Sequence, residues 1–214
     1  MTRKERANAF FEVLKELYPE ADCTLDYSSP FELLIATQLA AQCTDARVNI
    51  VTKDLFRKYP DVQSFANAHL KELEEDIRPT GFYHNKAKNI ISCSKRLLDA
   101  YGGEVPDNMD DLLSLAGVGR KTANLVLGDI FHKGGMVIDT HAKRILYRVG
   151  LTKETDPKKV EFDVSPLITS DKQSEFCHRL VMHGRACCSA RAPKCNQCKA
   201  KDICKKTGIK IKTY

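Results

Sequence analysis

Residues 115–124 read LAGVGRKTAN, and this stretch decides the fold. Gly117 and Gly119 flank one apolar residue, Val118, and helical patterns run up to the segment and start again just after it. The arrangement predicts a tight hairpin between two helices, with backbone N–H groups left open at the start of the second helix. Such a row of N–H groups can hold a phosphate. We therefore take Gly117, Gly119 and Arg120 as candidate phosphate contacts.

Lys121 lies in the first turn of the second helix of this hairpin. The helix macrodipole disfavours a positive charge there and is expected to lower the pKa of this lysine. A lysine with a lowered pKa beside a phosphate-binding hairpin indicates an amine nucleophile delivered to a nucleic acid. The alternative interpretation is an exposed helix lysine or a simple phosphate contact.

Helical periodicity continues through most of the chain, and the short extended piece MVIDT is too isolated to argue for a sheet. The sequence predicts an all-α fold. Ser28–Ser29–Pro30 and Asp107 are expected to begin two of the helices. Helices are expected at 3–18, 31–42, 46–59, 61–67, 69–76, 85–101, 109–117, 120–131 and 141–149, from Asp156 onward, and at 171–187.

Two helical domains are expected in the 214 residues. Residues 22–132 would form a helical bundle that contains the helix-hairpin-helix, at about 107–131. Residues 1–21 would join residues 133–214 around a C-terminal cysteine array.

The net charge of +6 is concentrated near the C-terminus. Residues 186–214 hold eight Lys/Arg and one acidic residue, whereas the rest of the chain is nearly balanced. This excess is either a solvated tail or an electrostatic surface for a polyanion. Because the sequence has no membrane-length apolar run and no signal-peptide pattern, we expect a cytoplasmic, nucleoid-associated protein that does not bind membranes. We also expect a monomer.

Five of the nine cysteines fall between positions 187 and 204. In a reducing compartment such a cluster indicates metal binding rather than disulfides. The spacing Cys188-x6-Cys195-x2-Cys198-x5-Cys204 supplies four thiolates, which suit either Zn²⁺ or a [4Fe–4S] cluster. Only one pair has the C-x2-C spacing common in zinc sites, so the pattern leans towards the cluster. On spacing alone, either Cys187 or Cys188 can be the first ligand.

Two basic residues, Arg191 and Lys194, lie between the first two candidate ligands. Their charges can contact phosphates, offset the negative charge of a thiolate-bound cluster, or do both. Four protein ligands close a metal site, so we expect this one to fix a basic loop rather than to perform chemistry.

Asp139 follows Lys121 by 18 positions and directly precedes a predicted helix. One interpretation of Asp139 is a helix N-cap. Another combines it with Lys121, whose neutral amine would attack C1′ of a deoxynucleoside while the carboxylate accepts a proton or stabilises the cationic sugar. That reaction requires the base to leave the helical stack.

Several spaced motifs, taken in order, resemble the endonuclease III family of DNA glycosylases in the helix-hairpin-helix superfamily. The matching stretches are LIATQLAAQCTD at 34–45, GFYHNKAKNI at 81–90, LAGVGRKTAN at 115–124, VIDTH at 137–141, and the array that begins HGRACC at 183. The resemblance implies two helical lobes with a DNA-binding cleft between them. It implies that Lys121 is the Schiff-base nucleophile and Asp139 the catalytic carboxylate.

The resemblance also selects the metal ligands. The family has its first cysteine at the sixth position of an HGRxxC motif, which points to Cys188 rather than Cys187. The implied cofactor is a [4Fe–4S] cluster held by Cys188, Cys195, Cys198 and Cys204.

Further residues match positions that face DNA in the family. Gln42 matches the glutamine that fills the gap left by an extruded nucleotide, and Phe82 falls where the family often has a leucine wedge. His141 and Asp45 match residues that line the cleft. Ala116 departs from the family's usual proline, so we expect a less rigid hairpin.

The presence of Lys121 implies a bifunctional enzyme, a glycosylase with lyase activity. Related adenine DNA glycosylases typically lack this lysine and carry an extra C-terminal domain. The expected substrate is double-stranded DNA that contains oxidised or ring-saturated pyrimidines, such as thymine glycol, or abasic sites cleaved by β-elimination. The alternatives are a non-catalytic helix-hairpin-helix DNA-binding protein, a glycosylase of the same superfamily with another lesion preference, and a zinc-stapled structural module.

Overall fold

The computed structural model describes residues 1–209, which form eleven α-helices and no β-strand. The prediction of an all-α fold is confirmed. None of these helices is long and apolar enough to cross a membrane. The helices are α1 Arg3–Leu17, α2 Pro30–Leu39, α3 Asp45–Lys58, α4 Val62–Ala66, α5 Leu70–Ile77, α6 Tyr83–Tyr101, α7 Met109–Leu113, α8 Arg120–Asp129, α9 Thr140–Val149, α10 Pro157–Val164 and α11 Gln173–Ala186.

Polar side chains at the N-caps explain where several helices begin. Before α2, the Ser29 hydroxyl accepts the amide N–H of Glu32, and Pro30 occupies the first helical position. The predicted cap at Asp107 is wrong by one residue. Asn108 caps α7 instead, because its Oδ1 accepts the Asp111 amide N–H at 3.0 Å.

The chain folds as two compact units. The middle unit is Cys23–Phe131, and the terminal unit is Met1–Asp22 together with the chain from His132 onward. Burial of apolar side chains supplies the main favourable free energy of each unit. The middle unit is built around α2, which is apolar nearly all round: Leu33, Leu34, Ile35, Ala36 and Leu39 are fully buried.

The core of the terminal unit joins α1 to the helices that follow residue 139. Phe10 of α1 meets Phe176 of α11 edge to face, with ring centroids 6.4 Å apart. Ile145 and Leu146 of α9 belong to the same buried cluster. Since α9 begins at the Asp139 cap and α11 leads into the cysteine array, this core fixes both candidate sites of the unit.

Candidate functional site

The hairpin of the middle unit lies between α7 and α8. Both arms are shorter than predicted, because α7 ends at Leu113 and α8 at Asp129. Gly117 has φ +76°, and a Cβ atom on it would lie 2.9 Å from the Cβ of Asn89, so a larger residue does not fit. Gly119 is the N-cap of α8 with φ −97°, and a Cβ there would meet no atom within 4 Å.

The two glycines therefore act differently. Gly117 is required by the turn itself. Gly119 has no such steric requirement, but as a cap without a side chain it leaves the N-terminal N–H groups of α8 accessible to a ligand. A phosphate oxygen can approach this backbone closely.

Lys121 is the second residue of α8 and is exposed to solvent. The buried face of the helix is formed by Ala123, Val126 and Leu127. Packing thus fixes the backbone of α8 while the Lys121 amine is free to reach a substrate. Arg120 beside it is half-buried.

Asp139 is the N-cap of α9 in the terminal unit, and its Oδ1 accepts the amide N–H of Ala142 at 2.7 Å. Its cap interpretation is therefore correct as a description of local structure. The cap bond also fixes the direction of the half-buried carboxylate, which a catalytic role requires. Lys121 and Asp139 belong to different units.

His141, two residues into α9, packs against α11. Its Nδ1 accepts a hydrogen bond from Nη2 of Arg144 at 3.1 Å. A Cβ on Gly184 would lie 2.9 Å from the Cβ of His141, so the glycine of the HGR sequence is needed for this close contact. Asp45, the first residue of α3, accepts the Thr24 hydroxyl at 2.5 Å.

Gln42 and Phe82 share an unusual backbone conformation. Both are in the left-handed region, with φ of +56° and +50°. Both are exposed, and Phe82 is 65% accessible despite its large apolar ring. Strained, exposed residues of this kind are concentrated at functional sites. The family resemblance predicts a role for both residues, but no local sequence pattern predicts their conformation.

The cysteine array surrounds a cavity in the terminal unit. Its lining includes Cys188, Cys195, Cys198 and Cys204, together with apolar side chains of α9. Burial and the proximity of the other array cysteines raise the pKa of the Cys204 thiol. Two donors point at array sulfurs: Arg148 Nη1 lies 3.4 Å from the Cys188 sulfur, and the Lys206 amide N lies 3.3 Å from the Cys204 sulfur.

Two arginines of α9 hold the start of the array. Arg144 Nε donates to the Cys188 carbonyl at 3.0 Å, and Arg148 donates to the carbonyls of Ser189 and Ala190 at 2.7 and 2.8 Å. The planar guanidinium suits such multiple contacts. Arg191 and Lys194, the predicted basic residues of this loop, are exposed.

The cysteine spacing does not predict His183 as a residue of this site. It is 2% exposed, its Nε2 lies 3.7 Å from the Cys198 sulfur, and its Nδ1 lies 3.1 Å from the Tyr18 hydroxyl. Burial lowers its pKa to about 4. Within residues 1–209, His183, Cys187 and Cys198 are the group of potential ligand atoms that all lie within 4.8 Å of one another. The HGR sequence itself was the available signal, because it places a histidine one helical turn before the array.

Comparisons with known proteins agree with this geometry. Residues 35–169 match the HhH-GPD superfamily of base excision DNA repair proteins. Endonuclease III of Synechocystis sp. is 47% identical over 95% of this chain and 93% of its own. The chain belongs to the endonuclease III family.

Solved structures give the same result. An endonuclease III in a non-covalent complex with DNA has a TM-score of 0.87 and 39% identity, over 96% of this chain and 97% of its own. A trapped covalent intermediate of an endonuclease III with DNA has a TM-score of 0.88 and 40% identity over the same shares. As a member of the endonuclease III family, this chain is a DNA glycosylase and lyase of base excision repair.

Proposed function

We propose that the chain is a bifunctional DNA glycosylase for oxidised or ring-saturated pyrimidines, with Lys121 as its nucleophile. The observation that carries this proposal is the position of Lys121, an exposed amine in the first turn of a helix whose N-terminus is left open by Gly119. A phosphate held there would deliver the neighbouring deoxyribose to the amine. The solved relatives in complex with DNA support damaged double-stranded DNA as the substrate.

The chemistry uses the unprotonated amine. The Lys121 Nζ lone pair forms a bond to C1′ as the glycosidic bond breaks. The attached nitrogen loses a proton, and the departing base takes one up from water. Breaking of the C1′–O4′ bond, with uptake of a proton by O4′, then leaves an iminium ion between Nζ and C1′. Loss of a proton from C2′ breaks the C3′–O bond, so the strand is cut on the 3′ side. Water hydrolyses the Schiff base and restores the lysine.

Asp139 is the carboxylate that we assign to proton transfer and charge stabilisation. Its Oδ1 is held by the Ala142 amide, which leaves Oδ2 to accept the proton of the amine or to face the cationic sugar. A fixed carboxylate needs little reorganisation as positive charge develops on the sugar.

Gln42 and Phe82 are assigned to the DNA helix rather than to the chemistry. Extruding a nucleotide costs a few kcal/mol of lost stacking and pairing. Side chains that fill the gap make new contacts with the neighbouring bases and offset that cost. An exposed aromatic ring and an exposed amide on turns of fixed conformation are suited to that role. Gly117, Arg120 and His141, with Arg191 and Lys194 on the cysteine loop, are proposed as further DNA contacts.

The donor set fits a [4Fe–4S] cluster held by Cys188, Cys195, Cys198 and Cys204. A zinc ion with four Zn–S bonds of about 2.3 Å needs sulfurs about 3.8 Å apart. In the described part of the chain, no three of these four sulfurs lie within 4.8 Å of one another, although all four line one cavity. When bound, such a cluster would crosslink the loop that carries Arg191 and Lys194; base excision itself involves no step at it.

The experiment that tests the proposal is borohydride trapping on a duplex with one thymine glycol. The parent protein is expected to form a covalent complex, and Lys121→Gln is expected to form none. Lys95→Gln, an exposed lysine of α6, is the matched control. Trapping by Lys121→Gln at the parental level would refute the nucleophile.

A lesion panel scored separately for base release and strand cutting tests the substrate. Release of another base class, with pyrimidine lesions untouched, would favour a superfamily glycosylase with a different preference. Salt-sensitive binding with no cleavage of any substrate would favour a non-catalytic DNA-binding protein. We further propose that the protein is a monomer that works in the cytoplasm on nucleoid DNA. Sedimentation with and without a duplex checks the monomeric state.

A further inference from the structure

Two exposed turns of the middle unit carry the strained residues Gln42 and Phe82. A non-glycine residue in a left-handed conformation is strained and persists only where its surroundings enforce it. Only four non-glycine residues of the described chain have positive φ, and these are two of them. Some contact must therefore hold each turn.

One buried lysine contacts both turns. Lys86, in the first turn of α6, is 6% exposed. Its Nζ donates to the carbonyl oxygen of Leu39 at 2.8 Å and to that of Thr80 at 2.8 Å. Burial lowers the pKa of this amine. A charged group is seldom buried without such partners.

The attachment points lie immediately before the strained residues. Leu39 is the last residue of α2, three positions before Gln42, and its carbonyl is among those that a helix end leaves without an intrahelical donor. Thr80 is buried and stands two positions before Phe82, at the end of a 3-10 turn that spans Arg78–Thr80. Lys86 therefore fixes where each turn leaves the core.

We propose that Lys86 is a positioning residue for nucleotide extrusion. Its ammonium group ties the backbone before Gln42 to the backbone before Phe82, and so holds both side chains at a set separation and in strained conformations. The inference rests on the proposed function, because it assumes that these two side chains enter the DNA helix. It adds a residue that touches no DNA and that the chemistry does not use.

The physical gain is preorganisation. Ordering a flexible turn costs backbone entropy, and turns that were flexible in the free protein would incur this cost at every extrusion event. Because the Lys86 hydrogen bonds are already formed in the folded protein, this entropy cost is not incurred when DNA binds. Hydrogen bonds that involve a charged group are stronger than those between neutral groups, so the two Lys86 bonds can offset backbone strain in the turns.

The test replaces Lys86 with Met, which keeps the length of the side chain and removes its donors. Lys95→Met, an exposed position on the same helix, is the matched control. The duplex carries a tetrahydrofuran abasic-site analogue opposite 2-aminopurine, whose fluorescence rises when it is unstacked. When it binds this duplex, Lys86→Met is expected to produce much less of the 2-aminopurine fluorescence rise than the parent protein does. On a thymine glycol duplex, it is expected to excise the base about tenfold more slowly than the parent. Its affinity for an undamaged duplex should stay at the control level.

A double-mutant cycle separates positioning from general stability. In a Gln42→Ala/Phe82→Ala background, Lys86→Met is expected to slow thymine glycol excision no further, because no wedge remains to be positioned. An equal further loss in that background would overturn the proposal. So would fluorescence and excision by Lys86→Met that match those of Lys95→Met.

Lys86→Gln, which retains amide donors, is made in parallel. Lys86→Gln is expected to recover part of the fluorescence rise. If both Lys86 variants unfold below the assay temperature, the Lys86 hydrogen bonds serve folding rather than positioning, and the proposal fails. The proposed function fails differently. In that case the parent protein itself releases no base from the thymine glycol duplex, whatever happens at Lys86.

Discussion

Gln38 closes the hairpin turn against α2: its Oε1 lies 2.7 Å from the place that a Cβ atom on Gly117 would occupy. Gly117→Ala must therefore displace a buried side chain and also adopt φ +76°. We expect the substitution to cost about 1–3 kcal/mol of stability. In a chain of this size, that corresponds to a melting temperature lower by about 2–12 °C, which calorimetry can measure.

Gly119→Ala is the matched opposite. Its φ is −97° and the space around it is open, so the melting temperature should fall less than in Gly117→Ala, by the small amount that alanine costs relative to glycine at an N-cap. The added methyl group stands where a phosphate would approach the N-terminus of α8, and affinity for duplex DNA should fall. Unchanged DNA affinity would show that the phosphate does not bind at this helix end.

Asp139 has two separable roles, which its substitutions should divide. Asparagine caps helices about as well as aspartate, whereas alanine costs about 1 kcal/mol. Asp139→Asn is therefore expected to keep the parental melting temperature and to lose base excision by about 10²–10⁴-fold, because the negative charge is gone. Asp139→Ala should lose both. If Asp139→Asn excises at the parental rate, the residue is a cap and nothing more.

The hairpin illustrates what the sequence could and could not predict. Gly117 and Gly119 both predicted a turn, and the turn is present. Only the coordinates separate their reasons, since one glycine packs against Gln38 and Asn89 and the other faces open space. Contacts with residues far away in sequence decide that difference, and local pattern does not contain them.

The same limit applies to the site. Resemblance to the family's motifs identified Gln42 and Phe82 as candidates, and helical pattern placed Lys86 in a helix. The strained φ values and the two carbonyls that meet at the Lys86 amine depend on how the ends of α2 and the 3-10 turn pack against α6. His183 shows the same limit, because the HGR sequence places a histidine near the array but does not show that it is buried against Cys198.

The first cluster ligand can be identified with a pair of cysteine variants. The Cys188 sulfur accepts a hydrogen bond from Arg148, whereas the Cys187 thiol donates to the Lys194 carbonyl at 3.8 Å. Cys188→Ser is therefore expected to abolish the brown visible absorption of the purified protein and most of its bound iron. Cys187→Ser should retain both. The reverse result would assign the ligand to Cys187, and colourless parent protein with bound zinc would reject the cluster.

The basic residues of the cysteine loop should determine part of the salt dependence of DNA binding. Arg191 and Lys194 are exposed, and each phosphate contact adds about 0.9 to the slope of log affinity against log salt. The double variant Arg191→Ser/Lys194→Ser should therefore bind duplex DNA more weakly and show a slope smaller by about 2. Lys158→Ser/Lys159→Ser removes the same charge from exposed positions of α10 and serves as the control. Equal slopes in the two double variants would mean that the loop charges act only through net charge, and that they contact no phosphate directly.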